Sequence, residues 1–172
     1  MANRTIKMTL SHNSIQDAIK QLREYQNGLK SKNELFVKRL SELGIPVINQ
    51  NIAVAQGDSD KNHNTYIRIN NFGGYSQVTL VCEGSDLLFI EFGSGIHYNT
   101  TVGTSPHPKG QEFGYTIGSY GQGNGKNESW VYFADSGEWV RSYGTEATMP
   151  VYKASVEIMQ SIRKIAKEVF AS

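Results

Sequence analysis

Three side chains invite a catalytic reading of this 172-residue chain: Glu91, His97 and His107. A carboxylate and imidazoles at the right spacing ligate zinc or share a proton as acid and base. The spacing here argues the other way. The four histidines, His12, His63, His97 and His107, form no H-x-x-x-H pair, and the single cysteine, Cys82, belongs to no C-x-x-C. His97 and His107 fall in a glycine-rich stretch, so exposed loop histidines are the expectation. Glu91 closes the apolar run LLFIEF and reads as a partly buried carboxylate that needs a structural partner. A small hydrolase or toxin-like domain built on Glu91 and His107 is the catalytic alternative.

The remaining motif-like strings are equally thin. Ser94 in FGSG lacks the G-x-S-x-G of a nucleophile elbow, and Gly93 and Gly95 are expected to supply positive φ for a sharp chain exit. Gly118–Gly125 (GSYGQGNG) lacks G-K-[ST] and leads into no helical pattern, so it reads as a mobile loop and not a phosphate site. Cys82 in QVTLVCE reads as a buried, inert thiol; alone, it makes no intrachain disulfide and implies no oxidising compartment. Asn99-Thr100-Thr101 and Asn127-Glu128-Ser129 fit the glycosylation triplet by coincidence, because no secretion signal accompanies them. The first residues lack the apolar core of a signal peptide, and no apolar run approaches the ~20 residues of a membrane span. The expectation is a soluble non-enzyme without catalytic residues, cofactor or metal.

The elements that would position these residues read as α+β, one domain over 1–172. Ile6, Met8 and Leu10 alternate with polar residues and predict a short strand over 4–10. Ser14 with Asp17 predicts a helix start. Ile15, Leu22, Leu29, Phe36 and Leu43 recur every seven residues, joined by Ile19 and Leu40, and predict a long helix weakened at Asn27-Gly28. Gly44 and Pro46 are expected to end it. Strands are expected at Val47–Gln56 (partly helical as the alternative), Thr65–Asn70, Tyr75–Glu83 and Leu87–Phe92. Asn70–Gly74 and Gly84–Asp86 mark hairpins. Residues 93–128 hold nine glycines in 36 positions and several aromatics. That stretch predicts a projecting loop, ordered against a partner. Trp130–Phe133 and Glu138–Ser142 predict a strand pair, and Pro150 opens a C-terminal helix carrying Val151, Ile158, Ile162, Ile165 and Val169. The two helices then pack on a mostly antiparallel sheet. Trp130 and Trp139 are expected in the core, with an interface role as the alternative.

Net charge is +1, but its distribution is uneven. Residues 1–50 carry eight basic and four acidic side chains, residues 51–150 five and ten, and residues 151–172 four and two. Basic ends flank an acidic middle, and no basic stripe of a nucleic-acid-binding protein appears.

Two strings then carry a resemblance. Leu87–Gly95 (LLFIEFGSG), followed by the glycine-rich insert, and Arg141–Ser155 (RSYGTEATMPVYKAS), followed by an amphipathic helix, resemble the head–tail joining proteins of long-tailed bacteriophages, also called neck, tail-completion or minor capsid proteins. Glu91, Phe92, Gly93 and Gly95 match that family's E-F-G-T-G-like string, with Ser94 in place of Thr. Gly144, Ala147, Met149, Pro150 and Ala154 match its approach to the final helix. The likeness covers roughly residues 85–170 plus the long helix and strands before them; the 93–128 loop is longer than in compact members. The resemblance implies a small α+β domain that assembles as a ring, usually a hexamer, in the virion neck after synthesis in the host cytoplasm. It implies connector or stopper proteins as partners on the head side and tail terminator or tail-tube proteins on the other. DNA would pass through without specific binding, and no catalysis or cofactor is implied. A tail terminator or other minor capsid or tail component is the alternative. Interface candidates are Tyr98, His107, Phe113, Tyr115, Tyr120, Trp130 and Trp139.

Overall fold

A computed structural model describes residues 5–72, 75–119, 124–134 and 136–171. Helix α1 runs unbroken over His12–Val54, 43 residues, or ~65 Å at 1.5 Å per residue. Its cap is Ser11, three residues before the expected Ser14: the Ser11 hydroxyl accepts the Ser14 N–H at 3.3 Å. Residues 5–9 form no strand, since no neighbouring strand offers them a ladder.

The main correction concerns the far end of α1. Gly44 and Pro46 do not end the helix, and Val47–Val54 is helix, the alternative reading of Val47–Gln56, and not strand. The apolar stripe simply continues through Val47, Ile48 and Ile52 into the main core, with Ala55, Ile90 and Ala154. Gly44 is a close-approach residue: a Cβ there would stand 2.3 Å from the Leu80 side chain and 3.5 Å from Ala154. Pro46 faces solvent, and the packing on either side outweighs its missing N–H.

Strands β1 (Asn64–Phe72) and β2 (Tyr75–Glu83) pair antiparallel, from Asn64 against Glu83 to Phe72 against Tyr75. Ser76, Val78, Leu80 and Cys82 alternate inward, and the Ser76 hydroxyl donates to Glu34 of α1 at 3.3 Å. Leu87–Phe92 is a one-and-a-half-turn helix, α2, and not a strand, so Gly84–Asp86 leads into a helix and makes no hairpin. A six-residue apolar run does not distinguish the two conformations by periodicity. Strands β3 (Trp130–Phe133) and β4 (Trp139–Ser142) form a second two-stranded sheet. Helix α3 (Pro150–Phe170) packs antiparallel on the C-terminal half of α1, with Leu40, Ile165 and Val169 as a second core cluster. Phe170 meets Phe36 with ring centroids 5.7 Å apart. The architecture is α+β, as expected, but the sheet is divided into two hairpins.

Residues 93–119 do not project. Gly103 N–H donates to Ile117 O at 2.9 Å, Ile117 N–H donates to Thr104 O at 2.8 Å, and Ile117 is buried. This part of the loop folds back on the domain because its aromatics pack: Tyr115 stacks on Phe92 at 4.4 Å between centroids.

Candidate functional site

Glu91 lies on the last turn of α2 with its carboxylate aimed at the first turn of α3. Oε2 accepts the Val151 N–H at 2.8 Å and Oε1 the Tyr152 N–H at 2.9 Å. Helix α3 needs this help. Its N-cap residue, Met149, is left-handed (φ 56, ψ 51) and contributes no side-chain acceptor. A carboxylate from another element therefore does the work of an N-cap, at the end of the helix dipole that favours negative charge. The Ile90 carbonyl accepts the Thr148 N–H at 3.0 Å from the same approach.

His107 completes the arrangement. Its Nδ1 accepts the Lys109 N–H at 3.0 Å, which leaves Nε2 to carry the ring proton and donate to Glu91 Oε1 at 3.1 Å. Phe92 covers the ring at 4.5 Å between centroids. The sequence places His107 in an exposed loop; the structure buries it, because Glu91 needs a third donor away from water. The two candidate side chains thus meet in space, and both ring nitrogens and both carboxylate oxygens take part in hydrogen bonds within the protein. The pair ties α2, the loop and α3 together and stands at the wall of a groove.

The two resembling strings form one latch. Ser94 and Thr145 exchange backbone hydrogen bonds at 3.0 and 2.9 Å. Gly144 (φ +87) approaches so closely that a Cβ would lie 2.0 Å from the Ser94 carbonyl oxygen. Gly93 and Gly95 have φ of +80 and +71, as the sharp exit requires, although the exit is from a helix. Asn99 fastens the latch. Its Nδ2 donates to Ser94 O (3.2 Å), Gly95 O (3.1 Å) and Thr145 O (2.7 Å), while Oδ1 accepts the Ala147 N–H at 3.0 Å. Sequence reading noted Asn99 only as part of a glycosylation triplet, because the partners that give it this role, Thr145 and Ala147, lie 46 and 48 positions away.

The remaining candidates scatter. His97 is exposed and pairs with Glu128 at 3.3 Å. Tyr98, Tyr115 and Trp130 are half-buried, and Phe113 is exposed. Trp139 is 73% exposed and touches Phe133, so it is not a core residue. Tyr120 lies outside the described residues. Cys82 is half-buried. Burial pushes its thiol up; the Thr65 hydroxyl, which donates to Sγ, works against this, and the carboxylates of Glu91 and Glu83 add to it.

Two depressions flank the latch. One, about 370 Å³, lies between Phe89, Trp130 and Tyr132 with Asp58 and Asp86 at its wall. Both carboxylates serve the backbone: Asp58 Oδ2 accepts the Tyr143 N–H at 2.7 Å, and Asp86 Oδ2 the Asp60 N–H at 2.8 Å. The other, about 390 Å³, is an apolar groove where α2, the 107–113 turn and the first turns of α3 meet. Among the described residues, no group of three His, Cys, Asp or Glu side chains is placed to hold a metal ion, and no helix is long and apolar enough to cross a membrane.

No protein-family model matches the chain, and no curated protein or solved structure is significantly similar to it.

Proposed function

We propose that the chain is a structural subunit of a long-tailed bacteriophage virion, forming a ring in the neck that joins the connector to the tail. The observation that carries this reading is the apolar surface a single copy leaves uncovered. Ile15, Ile19, Leu22, Tyr25 and Leu29 of α1 and Val131, Phe133 and Trp139 of the second hairpin are all exposed. Contiguous uncovered apolar side chains mark surfaces that meet another protein, a membrane or a ligand, and the first of these suits a subunit of an assembly. The resemblance supplies the kind of assembly. It gains weight because the two strings on which it rests, remote in sequence, meet in one latch. The hydrogen bonds that Glu91 and His107 make to α3 and to the loop support a structural part for the pair.

In the proposed ring the acidic middle of the chain lines the channel, where like charge keeps DNA from adhering. Several of those acids also tie loops, as Asp58 and Asp86 do. Deletion of the gene is the direct test. The expected particles are DNA-filled heads beside separate, finished tails. Intact infectious virions from the deletion would overturn the reading, and so would acidic side chains facing outward in an assembled ring for the channel role.

A further inference from the structure

The cavity of about 370 Å³ beside the second hairpin has the size of a small-molecule site, a class that spans about 300–1,000 Å³. Its walls divide by chemistry. Trp130 and Tyr132, which share one face of β3, and Phe89 of α2 present aromatic rings. Asp58 and Asp86 present carboxylates. Among the described residues no lysine, arginine or histidine lines the cavity, so its two acids stand there without a cation.

Each carboxylate is held in place through one oxygen and keeps the other. Asp58 Oδ2 accepts the Tyr143 N–H at 2.7 Å and Asp86 Oδ2 the Asp60 N–H at 2.8 Å, while Oδ1 of each accepts no hydrogen bond among the described residues. A hydroxyl joins them. Ser94 lines the cavity and is 8% exposed, yet its Oγ makes no hydrogen bond among the described residues. Its part in the latch runs through its backbone alone. A hydroxyl so far from bulk water is costly unless something satisfies it. The other hydroxyls of the wall already have partners: Ser142 accepts the Gly144 N–H at 3.0 Å, and Ser59 and Thr145 bond each other at 2.6 Å.

We propose that this cavity binds a primary ammonium group carried on a short alkyl chain. An ammonium offers three donors and no acceptor. The wall meets it with Asp58 Oδ1, Asp86 Oδ1 and Ser94 Oγ. The rings of Trp130 and Tyr132 cover the methylenes, and their negative faces attract the charge. Backbone bonds already orient both carboxylates, so little is lost in ordering them on binding. A neutral sugar is a poorer match. It would use the rings, but its oxygens also need donors, and the wall has no amide, guanidinium or ammonium side chain to supply them. A free diamine and the lysine side chain of another protein offer the same ammonium chemistry. The proposal stands apart from the neck reading and does not depend on it.

Tryptophan fluorescence of the full chain tests it. Trp139→Phe leaves Trp130, in the cavity wall, as the only tryptophan. Titration with 1,4-diaminobutane is expected to change the emission saturably, with a Kd below about 1 mM at low salt that rises as salt is added. The uncharged 1,4-butanediol and methyl glucoside should leave the emission unchanged. Asp86→Asn keeps an oxygen for the Asp60 N–H and should weaken diamine binding about tenfold; Ser94→Ala should weaken it about threefold. Circular dichroism should be unchanged in both, and Asp58→Asn serves where either fails to fold. Nα-acetyl-lysine methylamide is the second arm. Binding tighter than the diamine's assigns the site to a protein lysine, and weaker binding assigns it to a free diamine. No saturation by either ammonium up to about 50 mM would overturn the proposal, being too weak for a built site. So would butanediol or the glucoside binding as tightly as the diamine, or diamine binding indifferent to all three substitutions.

Discussion

At the residue level, the decisive question is whether Glu91 and His107 are chemistry or carpentry, and stability answers it. A catalytic pair is replaceable at little cost to the fold. Glu91 is not, because its removal orphans the Val151 and Tyr152 N–H groups and the His107 Nε2–H in a buried place. Glu91→Ala is expected to lower unfolding free energy by about 3 kcal/mol in a urea titration. A stable Glu91→Ala chain would remove the structural assignment. Gly144 offers a second test of the latch. Gly144→Ala places a methyl on the Ser94 carbonyl and forces φ +87 on an L-residue, and should cost about 3 kcal/mol. Gly103→Ala, at φ +84 with open space around it, should cost only the backbone term, about 1 kcal/mol. Cys82 gives a third prediction. Its thiol is pushed up from an ordinary value of 9.0, so the thiolate is scarcer in the fold than in an unfolded chain. Iodoacetamide at neutral pH is expected to label it more slowly than it labels the urea-unfolded protein. The sign for stability follows: the neutral thiol favours the fold below pH 9, and that contribution falls away as pH rises above it. The partnered carboxylate was legible in LLFIEF, since a lone acid in an apolar run must find donors. Its partners were not legible, because two are backbone groups 60 and 61 positions away.

At the level of elements, the strands and helices whose pattern is purely local were readable, and those decided by packing were not. The first hairpin follows from alternation around NNFGG, and β2 occupies Tyr75–Glu83 as expected. The extent of α1 was misjudged because Gly44 and Pro46 are stop signals only when nothing outside the helix compensates. Here the Leu80 and Ala154 side chains occupy the space that the missing Cβ leaves. Helix α2 was misjudged because six apolar residues satisfy both periods. The weak point of α1 is Gly28, whose surroundings are open and whose backbone is ordinary helix. Gly28→Ala therefore adds helix propensity of about 0.8–1 kcal/mol with no clash. Amide hydrogen exchange across residues 22–31 should slow by roughly fivefold, since about 1 kcal/mol corresponds to that factor. Unchanged exchange there would mean that the order of this stretch is not set by its own helix propensity.

For the whole molecule, the arrangement separates two jobs along one 43-residue helix. The C-terminal half of α1 is the spine of the domain, buried against α3 and the first hairpin. Residues 22–31 of the N-terminal half are exposed at every position, with Leu22 and Leu29 facing solvent, while Ala18 before them is buried. The latch sits at the domain end, where it ties α2, the loop and α3 into one body and so fixes the shape of the groove beside it. Residues 12–31 make the monomer measurably non-spherical. A compact chain of 172 residues has a radius of gyration of roughly 16 Å, whereas the ~30 Å of α1 over residues 12–31, which runs past the end of α3, raises it above that. Small-angle X-ray scattering on dilute protein is expected to give a value above that of a compact chain, with an asymmetric distance distribution. The double variant Leu22→Glu with Leu29→Glu, whose sites are solvent-facing, should keep that profile and its melting temperature while losing any higher assembly seen as the wild-type concentration rises. A radius near 16 Å would mean that residues 12–31 fold back on their own domain. That result would cover the stripe within one copy and remove the physical reason for a second.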